Sequence, residues 1–234
     1  MIITPVHQFE IRYSTIINFT SVVRPVIAPF VKLASRVIID NENLITEKIT
    51  LIFDDEFYHI SVFSDRIIFR CERFDTSDLA NNNSFIEEPF FNIYDKISQL
   101  PDFGTTNSIL YFTFYVNTQT SKKIETLRKE FIESNFSSNS CVSMISGLTD
   151  IAVTLEAKEE DGSALSISTG PYLGIEDINK RNFNISDKKL LGELENLGQI
   201  IDYKHFMLTS KANFGLYKGL NRKANTIIRQ RWEK

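Results

Sequence analysis

Residues 57–74 read FYHISVFSDRIIFRCERF. Tyr58, Ile60 and Val62 alternate with His59, Ser61 and Phe63, and Ile67, Phe69 and Cys71 alternate with Ile68, Arg70 and Glu72. In an extended chain successive side chains point to opposite faces, so both runs read as strands with one apolar face. Only Ser64 and Asp65 separate them, and so short a link joins antiparallel neighbours, not parallel ones. An antiparallel sheet is the starting point of the fold.

The same reading extends outward. Phe9, Ile11 and Tyr13 alternate with Glu10, Arg12 and Ser14, which predicts a strand over residues 7–19. Residues 21–38 have helical apolar spacing, with Ser21 as cap, Pro25 in the first turn and Pro29 as a break. A strand is expected over residues 44–53, an acidic turn at Asp54, Asp55 and Glu56, and a polar loop over residues 75–84. Residues 85–100 read as a helix with Pro89 at its first position and Pro101 beyond its end.

After the connector PDFGTTNS comes ILYFTFYV, residues 109–116, an apolar run suited to the middle of a sheet. Residues 121–136 form an amphipathic helix with Ile124, Leu127 and Phe131 on one face, and residues 141–147 a short strand. Residues 150–169 predict a hairpin turned by Asp161-Gly162 in type I′ geometry. Residues 170–184 read as a loop and residues 186–197 as a helix. A long basic amphipathic helix is expected from Tyr203 to Trp232.

The class is therefore α+β, a mostly antiparallel sheet with helices packed on it. The order strand, helix, strands, helix occurs twice. It fits two duplicated βαββ-type, ferredoxin-like lobes, residues 1–103 and 104–234, and equally one larger antiparallel sheet with helices on one face. The connector is short and carries Phe103, so the halves are expected to be inseparable.

Several of these stretches together resemble an uncharacterised, sporadically distributed bacterial α+β protein family. They are FYHISVFSDRIIFRCERF, PFFNIYDKISQL, ILYFTFYV and the Asp-Gly hairpin with its C-terminal helix. Asp65, Arg66 and Ile67 match the hairpin piece, and Phe91, Tyr94 and Ile97 match the helix piece. The chain departs from that pattern after the first helix, where ILYFTFYVNTQ stands in place of an arginine- and glycine-rich strand. The resemblance implies a partner-dependent role near a defence or toxin–antitoxin system and supplies no catalytic residue.

The chain has 234 residues, 19 of them phenylalanine, enough to build a large apolar core. Its two cysteines, Cys71 and Cys141, are too few for a disulfide framework and read as core thiols. No signal peptide or membrane-spanning segment is legible, so the cytoplasm is the expected location. No motif for binding phosphate or for acyl transfer occurs. His7, His59 and His205 lack metal-ligand spacing, so no divalent ion is expected at Asp54, Asp55, Glu56 or His59, and no cofactor elsewhere.

Charge is uneven. From Lys204 onward eight Lys or Arg face one acidic residue, leaving −11 on the preceding residues of a chain whose net charge is −4. On the expected helix Lys204, Lys211, Lys218, Arg222 and Arg229 make one outward stripe, while Phe206, Phe214, Tyr217 and Leu220 anchor it. Such a stripe suits an acidic protein surface or nucleic-acid phosphates. The first reading is a non-enzymatic protein-binding or assembly subunit, with a protein partner or a second copy and no membrane. The alternatives are an RNA-binding or RNA-processing protein and a metal-dependent enzyme around Asp54.

Overall fold

A computed structural model describes residues 2–53, 57–72, 86–119, 122–136, 142, 145 and 147–232. Residues 2–103 contain β1 (Ile2–Tyr13), α1 (Phe19–Val31), β2 (Arg36–Asp40), β3 (Lys48–Phe53), β4 (Tyr58–Phe63), β5 (Arg66–Cys71) and α2 (Asn92–Ser98). The rest contains β6 (Thr106–Thr118), α3 (Ile124–Asn135), β7 (Val153–Lys158), β8 (Ala164–Tyr172), α4 (Ile175–Lys180), α5 (Lys188–Leu194), β9 (Gly198–Leu208) and α6 (Phe214–Trp232). A wide turn, Ile86–Phe91, leads into α2.

The strands form one nine-stranded sheet in the order β2-β3-β4-β5-β1-β6-β9-β8-β7, and every ladder is antiparallel. In each half the first strand lies at the centre and a meander returns so that the last strand pairs with it. β1 and β6 then pair with each other, from Ile2 opposite Asn117 to Tyr13 opposite Thr106. In a ferredoxin-like lobe a single strand separates the two strands that flank the first helix, whereas here β3, β4 and β5 stand between β1 and β2, and β9 and β8 between β6 and β7. Each half is a longer antiparallel meander than such a lobe, so that expectation is corrected.

Strand alternation divides the core. His7, Phe9 and Ile11 of β1, Tyr111 and Tyr115 of β6, and Ile201 and Tyr203 of β9 face the side covered by α1, α2 and α6. Val6, Phe112, Phe114 and Ile200 face the other side, where Ile178, Leu190 and Leu194 of α4 and α5 cover them. Helices therefore occupy both faces, not one.

Several local readings are also corrected. Residues 36–38 belong to β2, not to a helix. α1 runs from Phe19 through Pro25 and Pro29, with Asn18, not Ser21, at its cap position. Both prolines lie four apart on the exposed face, so the carbonyls they leave unbonded open toward water. The strand expected from Leu44 begins at Lys48. Within residues 170–184 the start belongs to β8 and the middle to α4.

In the β7–β8 turn Gly162 has φ +81°, while Asp161 does not share a positive φ. A type I′ turn needs positive φ at both central residues. The loop instead closes by Glu159 and Gly162 N–H bonds to Ser163 and Glu159 carbonyls, each 2.9 Å, the pattern of a type I turn with a glycine bulge. Of the strand expected over residues 141–147 only residues 142, 145 and 147 are described, and none of them is in a strand; the turn at Asp54–Glu56, the loop 75–84 and Cys141 lie outside the described residues. Cys71 is buried.

Gly198 opens β9 opposite Thr118 of β6. A β-carbon there would overlap the carbonyl oxygen of Asn117. Gly198→Ala is expected to lower stability by about 1–3 kcal/mol in urea unfolding. Gly192→Ala, on α5 with open space around it, is expected to be neutral or to add up to about 1 kcal/mol.

Candidate functional site

The basic stripe expected on one helix is split between three elements. Lys204 lies on β9, Lys211 on the connector after it, and Lys218, Arg222 and Arg229 on α6. All five are exposed, but only the last three share a helix face. The physical reason is a change of period. Tyr203, His205 and Met207 point to the α6 side, and Lys204, Phe206 and Leu208 to the other, which is strand alternation. The helix starts later, where Asn213 Oδ1 accepts from Leu216 N–H at 2.9 Å.

The anchoring face is right for Tyr217 and Leu220, which are buried together with Ala224 and Ile228. Phe214 is half-buried and stacks on Tyr217 with ring centroids 6.1 Å apart. Phe206 is no anchor. It stands on the opposite face of the sheet, 37% exposed.

That misplaced residue marks a surface the helical reading hides. Phe206 pairs across the ladders with Leu110 of β6 and Ala164 of β8. Lys204 pairs with Phe112 and Ser166, and Ala164 and Ser166 with Lys158 and Glu156 of β7. Together Leu110, Phe206, Ala164, Lys204, Lys158 and Glu156 line a shallow groove of about 510 Å3. Its floor is apolar, and Leu208, 74% exposed, extends that floor along β9. Asp202 orients the lysine at one end. Its carboxylate lies 3.3 Å from Lys204 Nζ and 3.2 Å from Arg181. The Lys204 ammonium also sits 5.5 Å from the Phe112 ring centroid. Alternation over residues 199–208 is the signal that would have revealed this surface.

The opposite face holds a buried polar network. His7 Nδ1 meets Thr113 Oγ1 at 2.7 Å and its Nε2 meets the Tyr217 hydroxyl at 2.8 Å. Tyr111 donates to Asn221 Oδ1 at 2.7 Å. Burial pushes the His7 pKa down to about 3, against a smaller opposing effect of the Phe112 backbone. His205 is likewise lowered, first by burial and then by Lys223, with Glu159 and Asp161 opposing.

His205 Nε2 lies 2.8 Å from Ser163 Oγ, a pairing that nucleophilic catalysis uses. Ser163 is only 1% exposed, so a substrate carbonyl has no path to it. The pair instead ties the β7–β8 turn to β9, and Lys223 of α6 holds Glu159 of the same turn.

Among the described residues no three His, Cys, Asp or Glu side chains converge on a metal-sized site. His59 lies on β4, while Asp54, Asp55 and Glu56 fall outside the described residues. No helix among the described residues is long and apolar enough to cross a membrane. The chain matches no family model, and no curated protein matches it.

Proposed function

We propose that this chain is a cytoplasmic, non-enzymatic protein-binding or assembly subunit, and that it takes a partner segment in the groove over β6, β9, β8 and β7. The observation that carries this reading is Phe206. It is a large aromatic side chain standing exposed on a sheet face, with Leu110 and Leu208 beside it and Lys158 and Lys204 at the edge. Aromatic side chains at the centre of a contact with charges around them are the usual make-up of a protein interface. The partner that suits it is a segment with apolar side chains and acidic flanks. A place for that partner in a defence or toxin–antitoxin assembly rests on the family resemblance alone.

The layout of the halves supports descent from one duplicated unit of strand, helix and antiparallel meander, with α4 and α5 inserted in the second copy. A surface used for binding in one half then has a counterpart position in the other, around β5 and β4.

RNA binding is the second reading, and a specific alignment favours it. The ladders place Arg36, His59, Arg70, Gln8, Phe112 and Lys204 in one line across the sheet. Base stacking needs an open ring. Phe112 is covered by Phe183, with ring centroids 6.0 Å apart, and Arg70 is drawn to the Asn184 carbonyl at 3.2 Å. The protein reading is the better supported.

The test is affinity capture from an extract of the native cells with wild-type protein and with Lys204→Glu/Phe206→Ser. Wild type is expected to retain a protein partner in stoichiometric amount after nuclease treatment, and the double variant to retain at least tenfold less. Arg181 still pairs with Asp202 in the double variant, and urea unfolding of both proteins separates loss of the groove from loss of fold. Retention that vanishes with nuclease supports RNA binding instead. Equal retention by both proteins would show that the groove does not bind the partner.

A further inference from the structure

Among the described residues the sheet has two edge strands, β2 and β7, each paired on one side. Every second residue of an edge strand turns its N–H and C=O away from its one neighbour, where another strand can bond them. Chains that stay apart guard such edges with lysine, proline or short polar strands. β7 carries Glu156 and Lys158 among its residues. β2 reads Arg36-Val37-Ile38-Ile39-Asp40, with three β-branched apolar residues in succession and neither lysine nor proline. Ile38 is 37% and Ile39 44% exposed.

This strand is complementary to itself. In antiparallel pairing about Ile38, Arg36 of one copy stands opposite Asp40 of the other, and the reverse holds by symmetry. Ile38 meets Ile38 between these two ion pairs on the same face. Val37 meets Ile39 on the other face, twice. Asp40 already holds Lys48 at 2.6 Å, yet its side chain is 45% exposed and has acceptor capacity left. The same register carries Leu33, 64% exposed, toward the 41–46 loop of the second copy, where Leu44 and Ile45 are 59% and 58% exposed.

We propose that β2 pairs with β2 of a second copy of this chain about a two-fold axis at Ile38, so that one sheet runs through both molecules. The contact is isologous, as two-fold dimers require, and it joins backbone bonding, apolar pairing and two reciprocal charge pairs in one register. It is independent of the groove, which lies at the other side of the sheet, on β6 to β7.

Sedimentation velocity on the full chain over 1–100 µM tests it. Wild type is expected to be a dimer across the upper part of that range. Ile38→Lys brings like charges together on the axis and is expected to weaken the dimer at least tenfold. Arg36→Asp and Asp40→Arg, each alone, face like charge with like and are expected to weaken it similarly. The double variant Arg36→Asp/Asp40→Arg restores opposite charges in both pairs and is expected to recover dimerisation. Thermal unfolding of each variant at the lowest concentration separates loss of pairing from loss of fold. A wild-type monomer at 100 µM overturns the proposal. So does a dimer that survives Ile38→Lys, or one that breaks on Leu155→Lys in β7 instead. Failure of the double variant to recover, with its fold intact, rejects the register.

Discussion

Expressed alone, residues 1–103 are expected to yield no soluble, cooperatively folding monomer. The cut removes β6, the strand that pairs with β1 along nearly its whole length. It thereby turns the centre of the sheet into a long, apolar open edge, the feature most prone to aggregate. The cut also removes α6, whose Tyr217, Leu220, Ala224 and Ile228 belong to the same buried cluster as Phe9, Phe69 and Phe90. Phe9 and Tyr217 stand 5.1 Å apart between ring centroids. Each large side chain left uncovered loses roughly 1.5–3 kcal/mol of burial. A domain's whole stability is about 5–15 kcal/mol, so a few such losses suffice. Glu72, at the end of β5, also loses the N–H groups of Ser186 and Asp187, at 2.9 and 3.1 Å. Size-exclusion and urea unfolding of the fragment check this. A monomer with a single cooperative transition would contradict it.

Acid is expected to destabilise the protein well before its carboxylates titrate. His7 is wholly buried and its folded-state pKa is about 3, against about 6.5 in an unfolded chain. Above pH 6.5 the ring is neutral in both states and the network around it is intact. As pH falls below 6.5 the unfolded chain binds a proton that the folded protein refuses, so stability declines. The expected loss from His7 alone is about 2 kcal/mol by pH 5, growing to about 4–5 kcal/mol near pH 3. His205 is shifted in the same direction and adds to the slope. Urea unfolding at pH 7, 6 and 5 measures it, because Asp and Glu in unfolded chains titrate below that window. His7→Gln retains hydrogen-bonding capacity toward Tyr217 and Thr113 and is expected to flatten the slope by the His7 share. A slope unchanged by this substitution would show that His7 is not buried as the structure has it.

The two hairpins and the central strand were legible because they depend on neighbours in sequence. Tyr58 to Cys71 and Val153 to Thr169 alternate cleanly, and residues 109–116 are apolar apart from Thr113. α3 was legible from Leu127 and Phe131, four apart, both buried. What escaped depends on tertiary context. The prolines of α1 argue against a continuous helix until their position on its solvent side is known. Val37 and Ile38 continue the apolar spacing of α1, and only pairing with β3 makes them strand. At the C-terminus, Lys204 and Phe206 satisfied a helical wheel because Lys218 and Phe214 follow at compatible spacing. The local alternation of Asp202 to Leu208 was the truer signal. The β1–β6 pairing that unites the halves has no signature in either strand. The groove was therefore half visible: Lys204 was singled out, but as part of the wrong surface, and Phe206 was given the opposite role.

The most direct test of the groove is lysine labelling of the chain with and without its captured partner, read residue by residue by mass spectrometry. Lys158 and Lys204 stand at the groove, while Lys211 and Lys218 lie on the connector and on α6, away from the sheet face that bears it. The partner is expected to suppress labelling strongly at Lys158 and Lys204 and to leave Lys211 and Lys218 reactive. Protection of Lys211 and Lys218 with Lys158 and Lys204 still labelled would contradict it and return the binding role to the basic face of α6.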